Sequence, residues 1–297
     1  MRFVKTVLTL AAIALAPVTA HATPLKAVAT ISILADITHQ VGGDLVNVTP
    51  IVGPDGDAHT YKPTPQDAKA LAEADVIITN GLGLEGWLSR LIKASGTKAI
   101  IAVASTGVTP RQMVDDGRKI TDPHAWQNVA NARIYAHNIA SALTKALPDQ
   151  TTVIQQQAAA YDAQLADLDS WVNGQLADIP AAQRKIITSH DAFGYYGAAY
   201  NVTLQAPQGM STEGEPTAAQ VAKLITQMKS EKIHRVFFEN MASPKVVQRI
   251  AEEANAKVGD AVYSDALSKA DGPAATYTNM IRHNTTLFRE AMLMNGK

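Results

Sequence analysis

From Leu25 to Ala104 the chain alternates between two hydrophobic rhythms. The short runs LKAVATISIL (25–34), VNVTPIV (46–52), DVIITN (75–80) and AIIAVA (99–104) are rich in β-branched residues and bounded by turn residues, which predicts buried strands. Between them, apolar positions three and four residues apart predict helices near 34–42, 64–74 and 84–95. The alternation returns after Pro180, with strands expected at 185–189, 202–206, 234–240 and 257–264 and helices near 191–200, 216–231, 244–255 and 273–294. Strands alternating with helices build parallel sheets covered by helices, so an α/β fold of two parallel-type lobes is expected.

The middle of the chain has a different pattern. Ile154, Ala158, Tyr161, Leu165, Leu168, Val172 and Leu176 keep to one helical face, no Gly or Pro interrupts 151–173, and Pro180 ends the segment. That spacing predicts a single amphipathic helix about 40 Å long. Placed between two lobes, it is a rigid strut and not a flexible hinge. The expected organisation is a leader at 1–22, a first lobe at 23–148, the linking helix at 149–180 and a second lobe at 181–297.

Composition narrows the partners. The 297 residues carry a formal net charge of −1, which argues against nucleic acid or an anionic membrane surface. MRFVK, the apolar run TVLTLAAIALAPV and AHA (20–22) predict a secretory signal peptide, with Thr23 first in the mature chain. The apolar run is short for a membrane span. No cysteine is present, which excludes disulfides, thiolate metal sites, cysteine catalysis and a lipid-modified cysteine. The expectation is a periplasmic monomer without a lipid anchor.

Candidate chemistry lies with the histidines. His39, His137, His234 and His283 fall on helix faces or at a strand entrance, where a structural role is the ordinary one. His59 (DAHTYKP), His124 (DPHAWQN) and His190 (TSHDAFG) instead occupy connections at strand-to-helix corners. In α/β lobes such connections face the ligand cleft. Three converging imidazoles would suit Zn2+, Cu2+, Ni2+ or Co2+. A fourth donor from the second lobe would be an oxygen. Asp265 in VYSDALS is placed for that role and equally placed for a turn or helix-cap role. Asp122 and Glu239 could orient ligand imidazoles, and Glu213 and Glu215 precede a helix that Pro216 would open.

These segments resemble one family along nearly the whole mature chain. VATISILADITHQVGGD, DAHTYKPTPQD, ADVIITNGLGLEGWL, DPHAWQNV, TSHDAFGYYGAAYNV and YSDALS are similar to the TroA-like solute-binding proteins of zinc and manganese ABC importers. The resemblance implies two α/β lobes joined by one long helix, with a metal between them held by His59, His124, His190 and Asp265. In that family the third ligand is usually Glu in manganese and iron binders and His in zinc binders. The implied cargo is therefore one Zn2+ per chain, with Mn2+ the alternative, captured for delivery to a membrane permease; a periplasmic metallochaperone is a further candidate partner. The long histidine-rich loop of many zinc importers is missing here. Its place (105–121) holds no histidine, only Asp115 and Asp116.

Three other functions compete with metal capture. A zinc hydrolase needs an open water position and has no HExxH helix here. A siderophore or corrinoid binder needs a broad aromatic or cationic cleft, and 5% of this chain is aromatic. A surface adhesin would want an anchor.

Overall fold

The computed structural model describes residues 23–295 apart from 116, 211, 213–215 and 243. The expected leader, Asp116, Glu213 and Glu215 lie outside the described residues.

The first lobe is built on a parallel sheet of four strands: β1 (Leu25–Ile31), β2 (Val46–Val52), β3 (Val76–Thr79) and β4 (Ile100–Val103), in the order β2-β1-β3-β4. The expected first strand is three residues too long. Ser32 opens α1 (Ser32–Gly42), because Ile33, Leu34, Ile37 and Val41 follow the helical period and are all buried. Helix α2 (Pro65–Glu73) begins with a Thr64/Asp67 capping box and Pro65 in its first turn. Helix α3 (Leu88–Ser95) stops at Gly96, whose φ of 61° closes the left-handed cap.

The segment 105–121 is more ordered than its composition implies. It forms an antiparallel hairpin, β5 (Gln112–Asp115) and β6 (Arg118–Thr121), which turns through Gly117 at φ 74°. With four residues per strand, its alternation is too short to stand out in the sequence. Helix α4 (Val129–Ala146), capped by Asn128, leads into α5 (Thr151–Leu176), the expected strut of 26 residues. The predicted face of α5 is the buried one, at Ile154, Tyr161, Leu165, Leu168, Val172 and Leu176. It packs on α1 and α4 from the first half and on α9 (Tyr277–Met292) from the second.

The second lobe has shorter ladders than expected: β7 (Lys185–Ile187), β8 (Thr203–Gln205), β9 (Arg235–Val236) and β10 (Lys257–Val258). Parallel pairs β7–β8 and β9–β10 are joined by a hydrogen bond from the Phe237 N–H to the Ile187 carbonyl at 2.9 Å. Beyond each ladder the chain stays extended and meets its neighbour at single bridges, His190 with Gln208 and Glu239 with Val262. Helices α6 (Gly194–Tyr200), α7 (Ala218–Glu231) and α8 (Lys245–Ala254) complete the lobe. Helix α7 begins two residues later than expected, at a Thr217/Gln220 capping box and not at Pro216.

One apolar cluster runs from β1 through α5 into the second half, where it includes Phe193, Tyr196, Phe237 and Phe288. Phe288 is its hub, with the rings of Phe193, Tyr196 and Phe237 edge-on to it at 5.5 to 5.6 Å. A second cluster under α7 and α8 includes Leu224, Met228, Val236 and Ile250. A core shared across the strut resists large rigid-body opening. Phe288→Ala should therefore cost about 3–5 kcal/mol, read as a lower denaturant midpoint. A loss below about 1 kcal/mol would show that the hub is not shared.

Candidate metal centre

His59 and His124 are each held by an Asx turn. Asp57 Oδ1 accepts from the His59 N–H (2.8 Å) and the Thr60 N–H (3.3 Å), which fixes the loop leaving β2. Asp122 Oδ1 accepts from the His124 N–H (3.0 Å) and also lies 2.8 Å from His124 Nδ1. On the opposite side Glu239 Oε1 accepts from the Ser189 N–H (2.9 Å) and the His190 N–H (3.3 Å), while its other oxygen contacts His190 Nδ1. A carboxylate on Nδ1 keeps the proton there and turns the Nε2 lone pair inward.

The inward atoms meet. His59 Nε2 is 3.3 Å from His124 Nε2 and 3.0 Å from Asp265 Oδ2. His190 Nε2 is 3.2 Å from Asp265 Oδ2, and His124 Nε2 is 3.5 Å from Asp265 Oδ1. All four donor atoms lie within 4.8 Å of one another. A tetrahedron with bonds of about 2.0–2.1 Å to nitrogen and oxygen has edges of about 3.3 Å, close to the four separations of 3.0 to 3.5 Å. His190 Nε2 and Asp265 Oδ1 are buried without an aligned hydrogen-bond partner. Orphaned lone pairs at one buried point are what a cation would satisfy.

The pocket is dry. The side chains of His124, His190 and Asp265 are fully buried and that of His59 is 4% exposed. Burial by itself would raise the Asp265 carboxyl, but His124 and His190 outweigh it and hold the group well below the carboxylate range. Burial would likewise lower His190, yet the Glu239 and Asp265 carboxylates raise it well above the ordinary histidine value.

Asp265 comes from the second half of the chain, but its backbone is fastened to the first. The Ser264 carbonyl accepts from Trp126 Nε1 and Gln127 Nε2, both at 2.8 Å. The Leu267 N–H donates to Ser32 Oγ (3.0 Å), and the Leu267 carbonyl accepts from the Asp55 N–H (3.0 Å). In sequence this donor reads simply as part of the second lobe. In the structure it sits on a segment clamped across the boundary.

Among the described residues, the other histidines stay apart from the cluster. His39 and His137 are exposed on α1 and α4, His234 precedes β9, and His283 Nε2 contacts the Ala261 carbonyl at 2.9 Å. Sequence reasoning missed Asn80, which is fully buried at the end of β3. Its Nδ2 donates to the Pro123 carbonyl (2.9 Å) beside His124, and its Oδ1 accepts from the Tyr135 hydroxyl (2.6 Å). Glu85 backs this arrangement, accepting from Thr30 Oγ1 and the Asn80 N–H, each at 2.6 Å. The only sequence signal for this network was a polar residue closing an apolar strand, VIITN.

A family model described as zinc-uptake complex component A, periplasmic, matches residues 27–291. The chain belongs to that family. It is a family of metal-binding components of ABC importers, not of enzymes. The manganese-binding lipoprotein MntA of Bacillus subtilis (strain 168) is 31% identical over 274 residues, covering 90% of each chain. The iron-binding protein YfeA of Yersinia pestis is 33% identical over 86% of this chain and 82% of its own. Among solved structures, the periplasmic zinc-binding protein TroA of Treponema pallidum matches with a TM-score of 0.85 at 28% identity, over 91% of this chain and 99% of its own. A manganese-bound periplasmic metal-binding protein of Candidatus Liberibacter asiaticus matches with a TM-score of 0.81 at 28% identity, over 90% of this chain and 99% of its own. The two-lobed α/β fold with parallel sheets is shared with these two solved structures.

The Glu239 and Asp265 carboxylates raise the His190 pKa, so an incoming cation competes with a proton for its imidazole. Calorimetry in buffers of different ionisation enthalpy should show net proton release, and affinity should fall as pH drops. In the metal-free protein, the His190 contribution to stability is complete below its unfolded pKa near 6.5 and fades as pH rises through the higher folded value. Glu239→Gln removes the charge on His190 Nδ1 and should weaken metal binding about 10- to 100-fold. Unchanged affinity would remove Glu239 from the site.

Proposed function

We propose that this protein captures one Zn2+ outside the cytoplasmic membrane and passes it to the permease of a metal ABC importer. The ion is the cargo. His59, His124 and His190 would bind it through Nε2, and Asp265 through its carboxylate. The observation that carries the reading is the donor set: three imidazoles with one carboxylate suit borderline Zn2+ better than hard Mn2+, which favours more oxygen. Four buried protein donors leave no place for an activated water, which weighs against a zinc hydrolase.

Manganese is the second reading, favoured by the names of the relatives, several of which are called manganese-binding and one iron-binding. Several are also called lipoproteins, which supports export of this chain. We assign it to the periplasm as a monomer, with the lobes divided at 23–148 and 181–297 by the linking helix at 149–180, and a metallochaperone as a further partner. Release involves loop movement around His59 and His124 with small lobe shifts, because the strut and the shared core limit larger lobe motion.

The test is competitive titration of chelator-stripped protein with Zn2+ and Mn2+, beside His190→Glu. The expected result is one tight Zn2+ equivalent that Mn2+ displaces poorly, with His190→Glu narrowing the gap between the two ions. Mn2+ binding as tightly as Zn2+ in the parent protein would move the assignment to manganese. No stoichiometric binding of either would end both readings.

A further inference from the structure

The turn that carries His124 is held from both sides of the cleft. On its own side, Asn80 Nδ2 anchors the Pro123 carbonyl. From the opposite side comes Tyr195, the second residue of α6 and five residues beyond His190. Its hydroxyl accepts from the Arg111 N–H at 2.9 Å and donates to the Asp122 carbonyl at 3.3 Å. Those two residues form the base of the β5–β6 hairpin, where the Asp122 N–H also donates to the Arg111 carbonyl at 3.0 Å. One buried hydroxyl therefore bridges both ends of the hairpin just ahead of His124.

The packing around this hydroxyl is tight. Tyr195 is 4% exposed, and the Arg111 guanidinium lies over its ring at 5.7 Å. Gly194 has no room for a side chain, because a Cβ there would stand 2.6 Å from Asp122 Oδ2. Asp122 is the carboxylate on His124 Nδ1. Any displacement of α6 is thus felt at the group that orients the His124 ring.

We propose that Tyr195 is a positioning residue of the metal centre, linking the segment that carries His190 to the Asp122 turn that carries His124. The inference rests on the metal-capture reading above and adds an order of events to it. Helix α6 follows His190 after three residues, so a shift that draws His190 from the ion also moves Tyr195. The Asp122 turn then loses its cross-cleft support, and His124 loosens in the same step. The two imidazoles let go together, which turns a small lobe shift into a large loss of affinity.

The test is Tyr195→Phe, which keeps the ring and deletes only the hydroxyl, in Co2+-loaded full-length mature protein. Chelator-driven stopped flow should show Co2+ release about three- to tenfold faster, the effect of one hydrogen bond. The Co2+ ligand-field bands should shift as the His124 ring reorients. Gly194→Ala, which crowds Asp122 Oδ2 without touching the hydroxyl, should change both readouts in the same direction. A packing role alone would lower the melting temperatures of metal-free and loaded protein equally and leave release and spectrum unchanged; that result overturns the proposal. Tight Co2+ binding in the parent with parental kinetics in Tyr195→Phe overturns it while leaving metal capture intact. Failure of the parent to bind Co2+ or Zn2+ overturns both.

Discussion

A fully buried carboxylate facing three imidazoles is the constraint on which the rest of the site depends. Asp265 is fully buried, and its ordinary response to burial would be to take up a proton. The imidazoles of His124 and His190 keep it ionised instead. That balance needs each ring closely aimed, and the surrounding hydrogen bonds do the aiming. Asp122 and Glu239 fix two of the rings, Asp57 fixes the loop of the third, and Trp126 with Gln127 fixes the carbonyl beside Asp265.

The fold serves this aim through its connections and less through its sheets. Each donor lies beyond a strand, in chain that has left the ladder but remains tied to its neighbour. In the second lobe the ladders run for two or three residues, then give way to single bridges at His190 and Glu239. Ending the regular pairing there frees backbone groups to be bonded by side chains, as the Glu239 carboxylate does for Ser189 and His190. The long helix α5 and the aromatic hub at Phe288 provide the stiffness that keeps the two sides of the site in register.

The parts of this arrangement that are legible in sequence are those with a period or a conspicuous place. The face of α5 could be read residue by residue because helical spacing persists for 26 residues. The three histidines could be read because each stands in a connection and not on an apolar face, and Asp265 only because the motifs around all four resemble one family. The β5–β6 hairpin escaped notice because four-residue strands carry little alternation. Asn80, Gln127 and Tyr195 escaped for a different reason: a buried polar side chain that braces a turn looks in sequence like any other Asn, Gln or Tyr. The clamp on Asp265 was equally hidden, since the residues that hold Ser264 are 137 and 138 positions away.

Zinc K-edge X-ray absorption on stoichiometrically loaded protein tests the account most directly. It predicts a four-coordinate shell with three imidazole nitrogens and one carboxylate oxygen, all at about 2.0–2.1 Å. A shell of five or six mainly oxygen donors, or one with fewer than three imidazoles, would contradict it.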